Sequence, residues 1–497
     1  MPDYFISQEK AESGLLDCAA YIGERIKSSD GHAEAMKAII PRYLSRGELD
    51  LAAELANAVD DPYSRDRLLI AVAEKCADAD DDEYALQLAD AVEDTGMQAE
   101  VLERVALVMA AKGRTEMAAE VAATMAHPDF VYAGIAVNQA AAGDRSTSDA
   151  TLDGIEFPAA RVTALMQIAG WQLKEERNDD AVSSLERAVI SADEIEHDEE
   201  KIRALTDIGN SFIEAKRNDK AVETFDKARS LAEALDNVHR DNFLARCAIG
   251  FLHAGSDELC DRTLDLVTDK TQMASALVAV ARDHWKKEEK DDAVDTLDEA
   301  YEILKSQRDI ETRSSRARNE LMATIAAQFA GFGKTERATE IALENNDPNE
   351  KTSALSQIAQ ILTMQNEDDL ARQTLNLIDE DADRVFALIA IADAEEKLDE
   401  KDAAIALLNE AASLSETVPQ LASRSLALNE IAARFADQGD AAKAREISIK
   451  NLAVIGEIRD ESSRAASLAG ISTIYKNAEL GINAEEKRIL MQLATKA

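Results

Sequence analysis

The stretch "ALENNDPNEKTSALSQIAQILTMQNEDDLA", Ala342–Ala371, holds two apolar stripes separated by "ENNDPNEK". That middle segment has the look of an acidic loop. Its surroundings make it a corner between two helices. Asp347-Pro348 stops the helix that ends near Ala342, because the residue before a proline is driven out of the α region. Leu355, Ile358 and Ala359 then recur at helical spacing and open the next helix. Eight residues past Ile358 the chain turns polar, and thirteen past it stands a small residue, Ala371.

The same arrangement returns along nearly the whole chain. Anchors equivalent to Ile358 are Ile39, Val72, Val105, Ile135, Ile168, Ile208, Cys247, Val280, Ile325, Ile391, Ile431 and Ile471, with intervals running from 30 to 45 residues. Thirteen residues past each anchor the residue is Ala in eleven of thirteen cases, with Ser148 and Cys260 the others, which fixes the register. The residue after the anchor is Ala, Gly or Ser in all but one unit, Ile40 being the exception. The turn often carries glycine (Gly47, Gly113, Gly143, Gly333, Gly439). Each unit therefore reads as helix A, a short turn and helix B, with small residues where the two helices approach closely. One such hairpin cannot cover its own apolar faces, whereas a stack of about thirteen makes a continuous core.

The pattern resembles the tetratricopeptide repeat family over residues 31–497. The resemblance rests on the large-small pair in helix A, the aromatic four past the anchor (Tyr43, Phe212, Phe251, Phe329, Phe435, Tyr475), the small residue at thirteen, and the bulky residue four further on (Leu185, Phe225, Leu264, Leu297, Leu375, Leu408). A further Ala follows in longer units, as Ala188, Ala228, Ala300 and Ala411. Departures are Glu395 and Gln172 in the aromatic slot, Ala56, Ala89 and Ala122 in the bulky slot, and a short, degenerate fourth unit. The resemblance implies an all-α fold, an α-solenoid wound as a right-handed superhelix of about 13 hairpins of mixed 33- and 40-residue length. Expected boundaries are a capping helix over 1–30, repeats 1–8 over 31–305, an extended helix end or joint over 306–319, and repeats 9–13 with a C-terminal cap over 320–497.

Composition agrees and excludes several functions. The 497 residues exceed a single-core domain. Hydrophobic residues make up 46% but aromatics only 4%, so the core is built from Ala, Leu and Ile. The net charge is −42, from 55 Lys and Arg against 97 Asp and Glu. Nucleic-acid binding needs a basic footprint, and anionic membranes repel such a chain. The N-terminal sequence has no secretory pattern, and no apolar run is long enough to span a bilayer. Four scattered cysteines without CxxC spacing point to a reducing cytoplasm.

Candidate chemistry is sparse. "CADADDDE" (Cys76–Glu83) starts like a calcium loop but has Glu83 and Ala89 where Gly and Glu are required. "GFGKTER" (Gly331–Arg337) lacks the first glycine of a phosphate loop, and no strand pattern precedes it. Cys247 and Cys260 share one hairpin and read as packed thiols. The six histidines sit in different units without metal or triad spacing. No catalytic, cofactor or metal site is expected. Seven residues before nine of the anchors stands a base (Arg65, Arg161, Lys201, Arg240, Arg318, Lys351, Arg384, Arg424, Arg464), read as pairing with carboxylates or capping the preceding helix.

In the resembled family helix A lines the concave side. There the middle units would present Arg203, Asn210, Asn242, His253, Arg282, Trp285 and Lys286. Amides suit a peptide backbone, Arg and Lys its carboxylates, and Trp an apolar side chain. The carboxylate clamp of chaperone-binding members is not reproduced, since Thr206, Asn210, Cys247 and Ser275 stand among its places. Leu107, Phe130, Val137 and Ala140 line the same side in repeats 3 and 4, as either an apolar pocket or added core. The expected function is a non-enzymatic scaffold binding a peptide or protein partner in the groove, with no nucleic acid and no membrane. The alternatives are a regulatory sensor for a peptide or small ligand, and an acidic structural protein adapted to high salt.

Overall fold

The computed structural model describes residues 4–306 and 312–496, with backbone alone for 312–315. Of the stretch 306–319, residues 307–311 lie outside the described residues, and a helix starts at Thr312. Among the described residues the chain is all-α, with one 3-10 turn (Ser415–Thr417) and no strand. In chain order the helices are α1 (Gln8–Ala11), α2 (Leu15–Gly23), α3 (Ser29–Leu44), α4 (Leu49–Asn57), α5 (Pro62–Asp78), α6 (Asp82–Ala91), α7 (Thr95–Ala111), α8 (Thr115–Ala122), α9 (Asp129–Ala141), α10 (Arg145–Asp153), α11 (Pro158–Lys174), α12 (Asn178–Asp193), α13 (Asp198–Glu214) and α14 (Asn218–Ala234). They continue as α15 (Arg240–His253), α16 (Asp257–Leu264), α17 (Lys270–Lys286), α18 (Lys290–Lys305), α19 (Thr312–Gly331), α20 (Thr335–Glu344), α21 (Pro348–Met364), α22 (Asp368–Leu375), α23 (Asp381–Lys397), α24 (Lys401–Leu414), α25 (Leu421–Asp437), α26 (Ala441–Glu457), α27 (Glu461–Asn477) and α28 (Ala484–Lys496). From α3 onward they alternate as A and B helices of thirteen units, a helical-repeat solenoid. Two compact units divide the chain, 109–358 and 1–108 with 359–497.

The turn within each hairpin is the most regular feature. Each carries one residue at positive φ, always eight past the anchor. Six are glycines, at φ 71–86°, and seven are Asp80, Glu176, Lys216, Glu288, Asn366, Asp399 and Glu479, at 52–64°. The next residue's N–H then returns to the carbonyl four past the anchor, as from Glu48 to Tyr43 (3.1 Å), Lys334 to Phe329 (2.9 Å) and Glu367 to Leu362 (2.8 Å). This is the Schellman closure, which satisfies carbonyls that helix A leaves open. Twelve of thirteen anchors are buried and Val280 is half-buried. The small residue at thirteen is likewise buried in all but the last unit, where Ala484 is exposed.

Small residues admit large ones from the neighbour. The Phe225 ring, on α14, lies where a Cβ on Gly209 or Gly250 would stand, 2.7 and 2.4 Å away, so both positions of α13 and α15 must be bare. Phe225 also meets Phe251 edge-on, with ring centroids 5.9 Å apart. Corners between units are tied by two devices. The base seven before the anchor donates to carbonyls at a helix B end: Lys201 to Asp193 (2.9 Å), Arg318 to Leu304 (3.2 Å), Arg424 to Glu416 (3.3 Å) and Arg464 to Ile458 (2.7 Å). Arg65, Arg161 and Arg384 instead pair with carboxylates. Beside this ladder an Asp six before the anchor holds the next corner's N–H groups. Asp241 accepts from Thr268 (2.7 Å) and Asp269 (2.6 Å), and Asp66 accepts from Glu93 and Asp94. Burial pushes the Asp241 carboxyl up, yet the bonds from Thr268 and Asp269 prevail and hold it below the usual range.

Within the unit formed by 1–108 and 359–497, the first and last repeats join. Within residues 4–30 stand two helices, α1 and α2, where the sequence predicts one. α2 packs against α27 as well as α3, and α28 packs on α26, α2 and α1. Arg42 Nε donates to Thr473 Oγ1 (3.0 Å), Lys476 Nζ to the Ser45 carbonyl (2.5 Å), and the Cys18 thiol lies 3.9 Å from the Leu490 carbonyl. The Arg42–Thr473 pair links the residue three past one anchor to the residue two past another. The same relation joins Arg434 to Asp393 (3.2 Å) and Gln328 to Arg282 (2.5 Å) in consecutive repeats. Repeat 1 thus sits on repeat 13 as a following repeat would.

A left-handed conformation is strained for residues with a Cβ, so Lys216→Gly and Glu176→Gly should each stabilise the protein by about 1 kcal/mol in denaturant titration. Leu16 on α2 is fully buried. Leu16→Ala should cost about 2–5 kcal/mol and speed hydrogen exchange in α27 and α28; unchanged exchange there would refute the junction. Glu395 in the aromatic slot is buried, and burial with Asp368 and Glu400 raises its pKa. The folded protein holds this proton more tightly than the unfolded chain, so folding is penalised as pH rises above the ordinary glutamate range. Glu395→Leu should raise Tm at pH 7, and the gain should shrink as pH falls through the raised pKa.

Candidate functional site

The A helices of repeats 6, 7, 8 and 9, which are α13, α15, α17 and α19, lie side by side and pack in succession. Their outward positions fall in one register because each helix is pinned at the same anchor. The seven sequence-predicted residues sit here, in three states of engagement. Arg203, Asn242 and Arg282 reach across to the next A helix. The Arg203 guanidinium lies 5.7 Å from the Phe243 ring centroid and pairs with Glu199 (3.6 Å). Asn242 Nδ2 donates to Gln272 (3.0 Å), and Arg282 Nε to Gln328 (2.5 Å). Trp285 is half-buried and stacks on Phe332 with ring centroids 4.3 Å apart, so one of its faces belongs to the packing. Asn210, His253 and Lys286 are exposed. The face also carries acids: Arg246 pairs with Asp207 (3.1 Å) and Lys287 with Asp283 (2.9 Å) and Asp257 (3.1 Å). Its chemistry is therefore that of a mixed hydrogen-bonding surface rather than a purely cationic one.

The apolar set predicted in repeats 3 and 4 separates. Val137 and Ala140 pack against the core, while Phe130 at the start of α9 points outward, 36% exposed. Phe130 meets Phe157 edge-on at 5.9 Å, and the two help to line a cavity of about 800 Å³ at the corners of repeats 4, 5 and 6. The sequence names Phe130 but not the corner residues around Phe157 that complete the cavity. The available signal was Phe157 itself, a large apolar residue just before α11 where most units have a polar one.

Burial pushes the thiols of Cys247 and Cys260 up to about 12, and both are unpaired, as packed inert thiols are. The calcium-like segment is the turn of repeat 2: Asp80 holds its left-handed residue and Asp81 caps Tyr84. Gly333 of "GFGKTER" is the turn glycine of repeat 9, at φ 71°. Among the described residues one trio, His284, Glu289 and Asp292, could meet a single metal ion. It lies at the turn of repeat 8, where His284 Nδ1 and Glu289 are already 2.6 Å apart.

No family model matches the sequence, and no curated protein does. Solved structures similar to the chain include Ton1535 from Thermococcus onnurineus NA1, at 16% identity over 82% of this chain and 99% of that one, with a TM-score of 0.24. The apo form of RapI is 11% identical over 73% of this chain and 96% of its own, with a TM-score of 0.31. The apo form of the quorum sensor NprR from B. thuringiensis is 11% identical over 70% and 97%, with a TM-score of 0.24.

Proposed function

We propose that the chain is a tetratricopeptide-type, non-catalytic binding scaffold, and that the A-helix face of repeats 6–8 receives an extended peptide or tail of a partner protein. One observation carries this reading. Arg203, Asn210, Asn242, His253, Arg282 and Lys286 stand exposed on adjacent helices, in one register. None of them is buried in the core, and Arg203, Asn242 and Arg282 make only surface bonds that a ligand can replace at little cost. Amide and guanidinium donors spaced along neighbouring helices match the carbonyls and carboxylates of an extended segment. Four buried, unpaired thiols favour a reducing cytoplasm as the place of action.

The test is affinity capture from the native cytoplasm with the wild-type chain and the Arg203→Glu/Arg282→Glu variant, followed by titration of the captured segment as a synthetic peptide. The variant should keep the wild-type melting curve and lose at least about tenfold in peptide affinity, as expected when charge-assisted hydrogen bonds are replaced by repulsion. A peptide that binds the variant as tightly as the wild type would overturn the assignment.

A further inference from the structure

At the corners of repeats 4–6 the A helices begin without a capping side chain, as they also do in repeats 7, 11 and 12, and here the uncapped corner of repeat 5 is filled by an aromatic ring. The residue just before helix A is an N-cap, where a short polar side chain satisfies an open backbone N–H. Ser28, Asp61, Asp94, Asp269, Asp347 and Asp460 do this in their units. In repeat 5 the position is Phe157, which makes no capping bond and is 42% exposed. Phe130 beside it is exposed as well, although most units place a polar or small residue there. Two phenyl rings are thus set edge to face at the surface. Large apolar rings at the surface, where most units place polar or small residues, depart from local consistency, and such departures concentrate at functional sites.

The lining shows what the rings face. Pro158 and the buried Ile195 extend the apolar floor. Asp129 fixes the corner by accepting from the N–H groups of Glu156 (2.8 Å) and Phe157 (3.3 Å). Glu194 is paired with Arg161 (3.0 Å). Glu156, Glu196 and Glu200 also line the cavity, together with His127 and His197, and no Lys or Arg does. The carbonyl end of α12 adds partial negative charge at the same place. Aromatic faces beside unneutralised carboxylates attract a planar cation carried on an apolar stem.

The geometry points to a second binding site, separate from the A-helix face: this cavity receives an arginine-bearing, basic and apolar segment of a partner protein. The guanidinium stacks on Phe130 and Phe157 and pairs with Glu156, Glu196 and Glu200, while a neighbouring apolar side chain of the segment covers Pro158 and Ile195. The volume of about 800 Å³ accommodates more than one side chain.

The probe is a fluorescein-labelled peptide of alternating arginine and leucine, titrated by anisotropy at physiological salt to suppress long-range attraction. Phe157→Ser should weaken binding by at least about tenfold and at the same time raise the melting temperature, because it supplies a capping side chain. Glu196→Gln/Glu200→Gln should weaken binding comparably. Asp291→Asn/Asp295→Asn, the same charge change at exposed positions of α18, should leave it unchanged. The proposal is overturned if Phe157→Ser binds as the wild type does. It is equally overturned if the Asp291/Asp295 pair weakens binding as much as the Glu196/Glu200 pair, which makes the attraction one of bulk charge. Displacement of the peptide by free spermidine at the peptide's own concentration also overturns it, by making the site one for small polyamines.

Discussion

Everything in this chain depends on how closely two helices can approach within one hairpin. The small residue after the anchor and the small residue at thirteen set that distance, and the left-handed residue at eight sets the angle at which helix B returns. Once those three positions are specified, the anchor, the aromatic and the bulky residue have a defined place to go. Phe225 shows how tight the tolerance is, since two glycines from successive repeats are needed to receive one ring. The unequal unit lengths are absorbed outside these positions, in the ends of the B helices and in the corners. The array therefore tolerates intervals from 30 to 45 residues without losing register.

Much of this was legible from sequence because it is local and repeated. A register supported at thirteen places survives individual exceptions such as Ile40, Glu395 or Cys260. The left-handed turn was only half legible. Glycine advertises it in six units, whereas Asp80, Glu176 or Lys216 carry the same backbone under side chains that give no sign of it. The Asp latch was hidden because its partners are backbone groups 27 or 28 residues away. The junction of repeats 1 and 13 was hidden for a stronger reason. Nothing in a periodic pattern says which unit follows the last.

The candidate sites were legible in proportion to how far they break the pattern. The A-helix residues follow from register alone, so their positions were found but their engagement was not: Arg282 to Gln328 and Asn242 to Gln272 are pairings between units of unequal spacing. The corner cavity needed the opposite kind of reading, attention to a residue too large for its slot. The charge supplies a common background to both. With 97 acids against 55 bases, and many of the bases engaged in ladders and bridges, the field of the surface favours cationic approach. That field acts on association rates, whereas aromatic and hydrogen-bonding detail decides what stays bound.

The junction also sets a timetable. In most repeat arrays each unit is covered by its immediate successor, so the chain can order itself as it leaves the ribosome. Here the buried face of α2, with Leu16 and Cys18, waits for α27 and the end of α28 around Leu490. At a translation rate of about 5–20 residues per second, that interval is on the order of tens of seconds. Throughout it the first helices present an uncovered apolar side to the cell, although the middle repeats can already be packed. Synthesis of α28, rather than emergence of the first helices, is then the moment at which this apolar face can be covered.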